Sequence, residues 1–135
     1  MKVVGMDHIV LRVADVERSL AWYRDELGLQ PERVDEWRDG KILFPSVRVD
    51  ATTVIDLLAA PRGDGEPNRD SINRDSINMD HVCLVIEPED LDALAASGRF
   101  DVVAGPSRLW GAQGDGTGLY VHDPDGNLVE LRHYA

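Results

Sequence analysis

The sequence predicts an α+β fold made of two copies of one βαβββ unit, and three observations support this prediction. The stretch DHIVLRV at 7–13 aligns residue for residue with DHVCLVI at 80–86. VIDLL at 54–58 aligns with LVELR at 128–132, and the offsets of the two alignments agree within one residue. A helical pattern follows the first strand in each copy. A constant offset between strand-like segments indicates an internal duplication.

The first unit, residues 1–59, begins with the alternating strand at 7–13. Asp15 is placed to cap a helix in VERSLAWYRDELG, and Gly28 is placed to end that helix in a left-handed conformation. Alternating, β-branched stretches then predict three further strands, at roughly 30–37, 41–49 and 52–59.

A linker is expected at 60–78, because this segment is rich in Pro, Gly, Asp and Asn. It contains RDSINRDSIN, an exact tandem copy of five residues. The entropy of loop closure grows slowly with length, so an exposed loop tolerates such an insertion at little cost. We interpret the duplication as harmless slippage; the alternative is that this long loop closes over a site.

The second unit, residues 79–135, repeats the order of the first. Pro88 opens the helical pattern PEDLDALAASG and Gly98 closes it. DPDGN is a strong hairpin signal, since Gly and Asn tolerate positive φ. The predicted strands are 100–109, 117–122 and 127–133.

Composition limits the class of partner. A chain of 135 residues has the length of one domain, so we expect a single domain over 1–135. With 14 basic and 25 acidic residues the net charge is −11, which argues against nucleic acid or an anionic membrane and favours a small molecule or another protein. One cysteine excludes an internal disulfide, and no signal-peptide pattern or bilayer-length apolar run is present. A cytoplasmic location is therefore expected.

Four polar side chains occur in otherwise apolar strands, at the same kind of position in each unit. Side chains alternate faces along a strand, so His8 and His81 lie opposite their apolar neighbours, and Asp56 and Glu130 are each flanked by apolar residues. If the units bring these strands together, two imidazoles and two carboxylates converge on one surface. Partly buried carboxylates need a compensating cation, and one divalent ion would serve both.

These donors restrict the metal without identifying it. Two histidines with one carboxylate suit non-haem iron, while an added oxygen ligand also suits zinc, nickel or manganese. Internal compensation is the alternative. His–carboxylate pairs, or Arg12 and Arg132 on the same strand faces, would neutralise Asp56 and Glu130 without a metal.

The paired DH-apolar-x-L strands, the DPDGNLVEL terminus and the βαβββ duplication resemble the vicinal oxygen chelate superfamily. That superfamily includes glyoxalase I, bleomycin-resistance proteins, fosfomycin-modifying transferases and extradiol dioxygenases. The ending at 105–134, with GP, GA-x-G and Y-x-x-DPDGNL-apolar-E followed by Y, is most similar to small bacterial glyoxalase-like proteins that are sometimes called virulence-associated.

This resemblance implies a metal site at His8, Asp56, His81 and Glu130. It also implies that the eight strands form a partly open barrel and that the protein is a homodimer. The chain departs from two relatives. Asp56 stands where glyoxalase I usually has glutamate, and Gln113 stands near the place where the dioxygenase signature has histidine.

The expected function is a divalent-metal-dependent enzyme that chelates adjacent oxygens of a small molecule, either glyoxalase-like (lyase or isomerase) or dioxygenase-like. Asp56 would be a fourth ligand or a general base, Glu130 a catalytic ligand, and Tyr120 a hydrogen-bond donor to substrate. A metal-free binding protein of the bleomycin-resistance type, which sequesters a drug, is the alternative.

Overall fold

The computed structural model describes residues 2, 4, 6–60, 79, 81–111 and 113–134. The chain divides into two compact units, Met1–Ile72 and Asn73–Ala135. The expected linker at 60–78 and its tandem repeat lie outside the described residues, apart from Ala60. No helix in the described part of the chain is long and apolar enough to span a membrane.

The described residues of the first unit form four strands and two helices. These are β1 (His8–Val13), α1 (Val16–Leu27), β2 (Gln30–Glu32), α2 (Val34–Arg38), β3 (Ser46–Asp50) and β4 (Thr53–Ala59). The sheet order is β1-β4-β3-β2; β1 and β4 are parallel, and the other neighbours are antiparallel.

Helix α1 begins and ends at the predicted residues. Asp15 is its N-cap and accepts a hydrogen bond from the Arg18 backbone N–H at 3.0 Å. Gly28 follows at φ 69°, a left-handed conformation that favours glycine. Leu20 and Tyr23 are buried, as the helical spacing predicts.

The prediction of a strand over 30–37 is wrong beyond Glu32. Arg33 takes a left-handed conformation at φ 60°, which ends β2, and α2 then begins at Val34. The Trp37 backbone N–H donates to the Arg33 carbonyl at 3.1 Å and closes the first turn of this short helix. The strand predicted over 41–49 is also shorter at its start: the observed strand, β3, begins at Ser46.

The described residues of the second unit repeat this plan without a counterpart of α2. They form β5 (Val82–Val85), α3 (Leu91–Ala96), β6 (Asp101–Gly111), β7 (Gly114–His122) and β8 (Leu128–His133). The sheet order is β5-β8-β7-β6, again with the first and last strands of the unit parallel.

Helix α3 begins later than its sequence pattern predicts. Pro88 does not open the helix; Asp90 is the N-cap, and its carboxylate accepts the Ala93 backbone N–H at 3.0 Å. A carboxylate at this position satisfies a free N–H of the first turn. Gly98, at φ 76°, follows the helix end as predicted.

The DPDGN segment connects β7 to β8 as the predicted hairpin turn. The buried Asp123 Oδ1 accepts the backbone N–H groups of Asp125 at 2.9 Å and Asn127 at 2.8 Å. Gly126 takes φ 80°. The α+β prediction is confirmed, and the strand pairing defines two four-stranded sheets, one in each unit.

Candidate functional site

The duplication extends to the register of the parallel strand pairs. In the first unit Val10 pairs with Asp56, and His8 lies two residues earlier on the same strand. In the second unit Cys83 pairs with Glu130, and His81 lies two residues before Cys83. Residues two apart share a face of the sheet, so each unit presents one imidazole and one carboxylate on one face. We call His8 and Asp56 the first pair, and His81 and Glu130 the second pair.

The second pair is in direct contact. His81 Nε2 lies 3.3 Å from Glu130 Oε2, and only 5% of the Glu130 side chain is exposed. Tyr120 pairs with Glu130 across β7 and β8, and its ring meets the His81 ring edge to face at 5.3 Å. Burial raises the pKa of the Tyr120 phenol, and the negative charge of Glu130 raises it further. The phenol therefore stays a hydrogen-bond donor at neutral pH.

The other oxygen of Glu130 is turned towards Gly118 and Arg132. A Cβ placed on Gly118 would lie 2.7 Å from Glu130 Oε1, so only glycine leaves room for the carboxylate there. Arg132 Nη1 lies 3.5 Å from the same oxygen. Within the part of the chain that the structure describes, this buried oxygen accepts no hydrogen bond. A buried carboxylate with a free lone pair is suited to a cation.

In the first pair, His8 and Asp56 each have a partner of their own. His8 is about half exposed, and its Nδ1 lies 2.7 Å from Asp7 Oδ2. That hydrogen bond raises the pKa of His8 and leaves Nε2 as the outward nitrogen. A carboxylate on one imidazole nitrogen is a common arrangement for histidines that bind metal through the other nitrogen.

Asp56 is buried beside Ser46, which pairs with it across β3 and β4. Ser46 Oγ donates to Asp56 Oδ1 at 2.5 Å, and Arg33 Nη2 lies 3.5 Å from the same hydroxyl oxygen. The Ser46 hydroxyl therefore stabilises one oxygen of the Asp56 carboxylate inside the sheet.

The sequence left open that arginine or histidine side chains neutralise the two carboxylates without a metal, and Glu130 has such partners. Arg132 is buried beside it, and His81 faces its second oxygen. Arg12, the other arginine considered, is exposed on β1. Among the described residues, no group of three or more His, Cys, Asp or Glu side chains is arranged to hold a metal ion. Each pair is thus a two-donor arrangement of one nitrogen and one carboxylate.

Two residues of this arrangement had no role in the sequence analysis. Ser46 could be found only from the register of β3 against β4, which the sequence does not define. Gly118 carries a usable signal, since a glycine inside a strand often marks a close approach of another group. It lies in the run GDGTG just before Tyr120.

Cys83 lies on the same face as the second pair, and its thiol is poorly ionised. Cys83 is exposed as a residue, but partial desolvation of its thiol raises the pKa to about 11, and the negative charge of Glu130 is the next largest cause. At pH 8 the thiolate fraction is therefore far below that of a free cysteine, and the greater nucleophilicity of a high-pKa thiolate offsets only part of this difference. We expect iodoacetamide to alkylate Cys83 about tenfold more slowly than N-acetylcysteine at pH 8.

The rate is expected to rise steadily from pH 7 to pH 9.5, because the thiolate form increases until the pH reaches the raised pKa. Mass spectrometry measures the reaction without ambiguity, since Cys83 is the single cysteine of the chain. Glu130→Gln should accelerate alkylation at pH 8 by removing the nearby negative charge. A rate that levels off below pH 9 would contradict the raised pKa.

Comparisons with known proteins agree with this fold. The family model described as the Glyoxalase/Bleomycin resistance protein/Dioxygenase superfamily matches residues 5–131. Virulence protein STM3117 of Salmonella typhimurium is 24% identical over 132 residues, which cover 96% of this chain and 84% of that protein.

Two solved structures are similar over nearly the whole chain. A glyoxalase/dioxygenase from Nostoc punctiforme has a TM-score of 0.67 and 22% identity, and covers 96% of this chain and 90% of its own. A lactoylglutathione lyase from Agrobacterium tumefaciens has a TM-score of 0.60 and 18% identity, with 98% and 95% covered. At such identities the structures establish the fold and leave the activity to be argued from the residues.

Proposed function

Because the chain belongs to the Glyoxalase/Bleomycin resistance protein/Dioxygenase superfamily, we propose that it is a divalent-metal-dependent enzyme that acts on two adjacent oxygens of a small molecule. One observation carries the proposal. Both units place an imidazole and a carboxylate on one face of a parallel strand pair in the same register. A core that needed only charge balance would not require this repetition.

The proposed ligands are His8, His81 and Glu130, with Asp56 as a fourth ligand or as a general base. The donor set fits a divalent ion, because it combines imidazole nitrogen with carboxylate oxygen, and Glu130 Oε2 lies 3.3 Å from His81 Nε2. Iron, zinc, nickel and manganese all accept such donors. When bound, the metal would supply Lewis acidity that polarises the substrate oxygens.

The chain itself orients the reacting groups. The Asp7 carboxylate fixes the His8 ring through Nδ1, and the Ser46 hydroxyl holds one oxygen of the Asp56 carboxylate. In this proposal Tyr120, kept protonated beside Glu130, donates a hydrogen bond to a substrate oxygen.

Relatives named as a lactoylglutathione lyase and a glyoxalase/dioxygenase support a lyase-like or dioxygenase-like reaction on a small molecule. The net charge of −11 supports the same class of partner, because it disfavours nucleic acid. The proposal takes the protein to be a homodimer, as the family resemblance implies, and to be cytoplasmic, as expected from the sequence.

A metal-free binding protein is the second candidate, and Arg132 is the observation that favours it. The buried guanidinium already compensates Glu130. Val10 and Val85 are also exposed by 46% and 60% on the faces that carry His8 and His81, which gives an apolar surface to a drug-like ligand.

Elemental analysis tests the proposal. Protein loaded with Zn²⁺ or Co²⁺ and then desalted is expected to retain a stoichiometric amount of metal, and to lose it to a chelator or on substitution His8→Ala. Metal-free wild-type protein that retains no added cation, and binds bleomycin equally with and without chelator, would reject the enzyme and support the binding protein.

A further inference from the structure

Arg132 lies beside the second pair, and the proposed chemistry gives it no role. Only 4% of its side chain is exposed. Its Nη1 donates to the Trp110 carbonyl at 3.1 Å and its Nη2 to the Leu109 carbonyl at 2.5 Å. Its Cζ lies 5.0 Å from the centre of the Tyr134 ring. These contacts fix the guanidinium on β8 against the end of β6.

The position of the guanidinium relative to Glu130 is unusual for a structural ion pair. A bidentate Arg–carboxylate contact has two short hydrogen bonds. Here the approach of Nη1 to Glu130 Oε1 is 3.5 Å, while both Nη atoms donate to backbone carbonyls. Arginine stays charged in proteins, so it supplies positive charge to Glu130 without a short hydrogen bond to the carboxylate.

A metal ion bound to Glu130 would be repelled by the fixed positive charge of Arg132. The second oxygen, Oε2, faces His81, so a cation held there would lie one carboxylate away from the guanidinium. Two cations at that separation repel each other through a weakly screened interior. The same guanidinium stabilises the carboxylate when no metal ion is present, because an uncompensated buried charge is costly.

We propose that Arg132 is the built-in counter-ion of Glu130, which keeps the second pair charge-balanced without a metal ion and lowers the affinity of the pair for one. The part of this inference that concerns affinity depends on the proposed function, since it takes Glu130 as a ligand.

Calorimetric titration with Co²⁺ alone tests the affinity. Arg132→Met is expected to bind Co²⁺ about tenfold or more tightly than the wild type, because the repulsion is removed. Arg132→Lys keeps the charge and should stay close to the wild-type affinity. Arg108→Met is the matched control on β6, the strand whose carbonyls Arg132 contacts. Arg108 is exposed in an ion pair with Asp115, so this substitution should leave the affinity unchanged. Equal or weaker binding by Arg132→Met would overturn the proposal.

A thermal unfolding series separates this inference from the proposed function and covers the case in which Arg132→Met folds poorly. In the wild type, Glu130→Gln should lower Tm by leaving Arg132 without its counter-charge. In the Arg132→Met background the same change should raise Tm, because it removes an unpaired buried charge. The same sign in both backgrounds overturns the counter-ion role. Failure of every variant to bind Co²⁺, with opposite signs in this series, rejects the metal site and retains the counter-ion.

Discussion

His81→Ala is expected to lower the affinity for Co²⁺ by about a hundredfold or more, the largest effect of any single substitution in this account. Loss of the side chain removes one of the proposed nitrogen ligands. It also leaves Glu130 Oε2 without the imidazole that lies 3.3 Å away. Titration of the chelator-treated protein with Co²⁺, followed by calorimetry, measures the loss.

Strand β7 of the same sheet supplies a closely matched control. His122 lies 3.3 Å from Asp101, and 32% of its side chain is exposed, against 31% for His81. His122→Ala should therefore remove an equivalent His–carboxylate contact while leaving the affinity for Co²⁺ unchanged. An equal loss in both variants would mean that the effect is one of folding and not of ligation.

Leu57→Ala is expected to destabilise the protein by about 2–5 kcal/mol, because it leaves a cavity in the core of the first unit. Leu57 is fully buried on β4, where it pairs with the buried Leu11 of β1. Leu131 takes the equivalent position in the second unit and is 2% exposed, so Leu131→Ala should cost a similar amount.

Urea unfolding measures both free energies of unfolding. Leu43→Ala is the control, since Leu43 is 81% exposed and its substitution should change the stability by less than about 0.5 kcal/mol. If Leu57→Ala cost no more than Leu43→Ala, the strand faces assigned here would be wrong.

The duplication made much of the fold predictable. It fixed which strands correspond and, through the alternation of side chains, which face of β1 and β4 carries polar groups. Leu11 and Val13 are buried, whereas His8 and Arg12 are exposed, as the alternation requires. The helix α2 could not be predicted in the same way, because it depends on Arg33 adopting a left-handed conformation that its residue type does not favour.

Strand parity predicted the His–carboxylate pair of each unit, but not the residues that surround each pair. Because side chains alternate faces along β8, the sequence predicted that Arg132 lies on the same face as Glu130. Only the contacts with the Leu109 and Trp110 carbonyls show that the position of this arginine is fixed. Those contacts join residues more than twenty positions apart in sequence. The role of Ser46 likewise depends on strand register, which is a property of the folded sheet.

Anomalous scattering from crystals grown with Co²⁺ locates a bound metal ion directly. A cobalt peak is expected beside His81 Nε2 and Glu130 Oε2, with His8 as a further ligand and Asp56 as a fourth ligand or as the neighbouring general base. A map with no peak at Glu130, in which Arg132 alone compensates its carboxylate, would contradict the metal-dependent function.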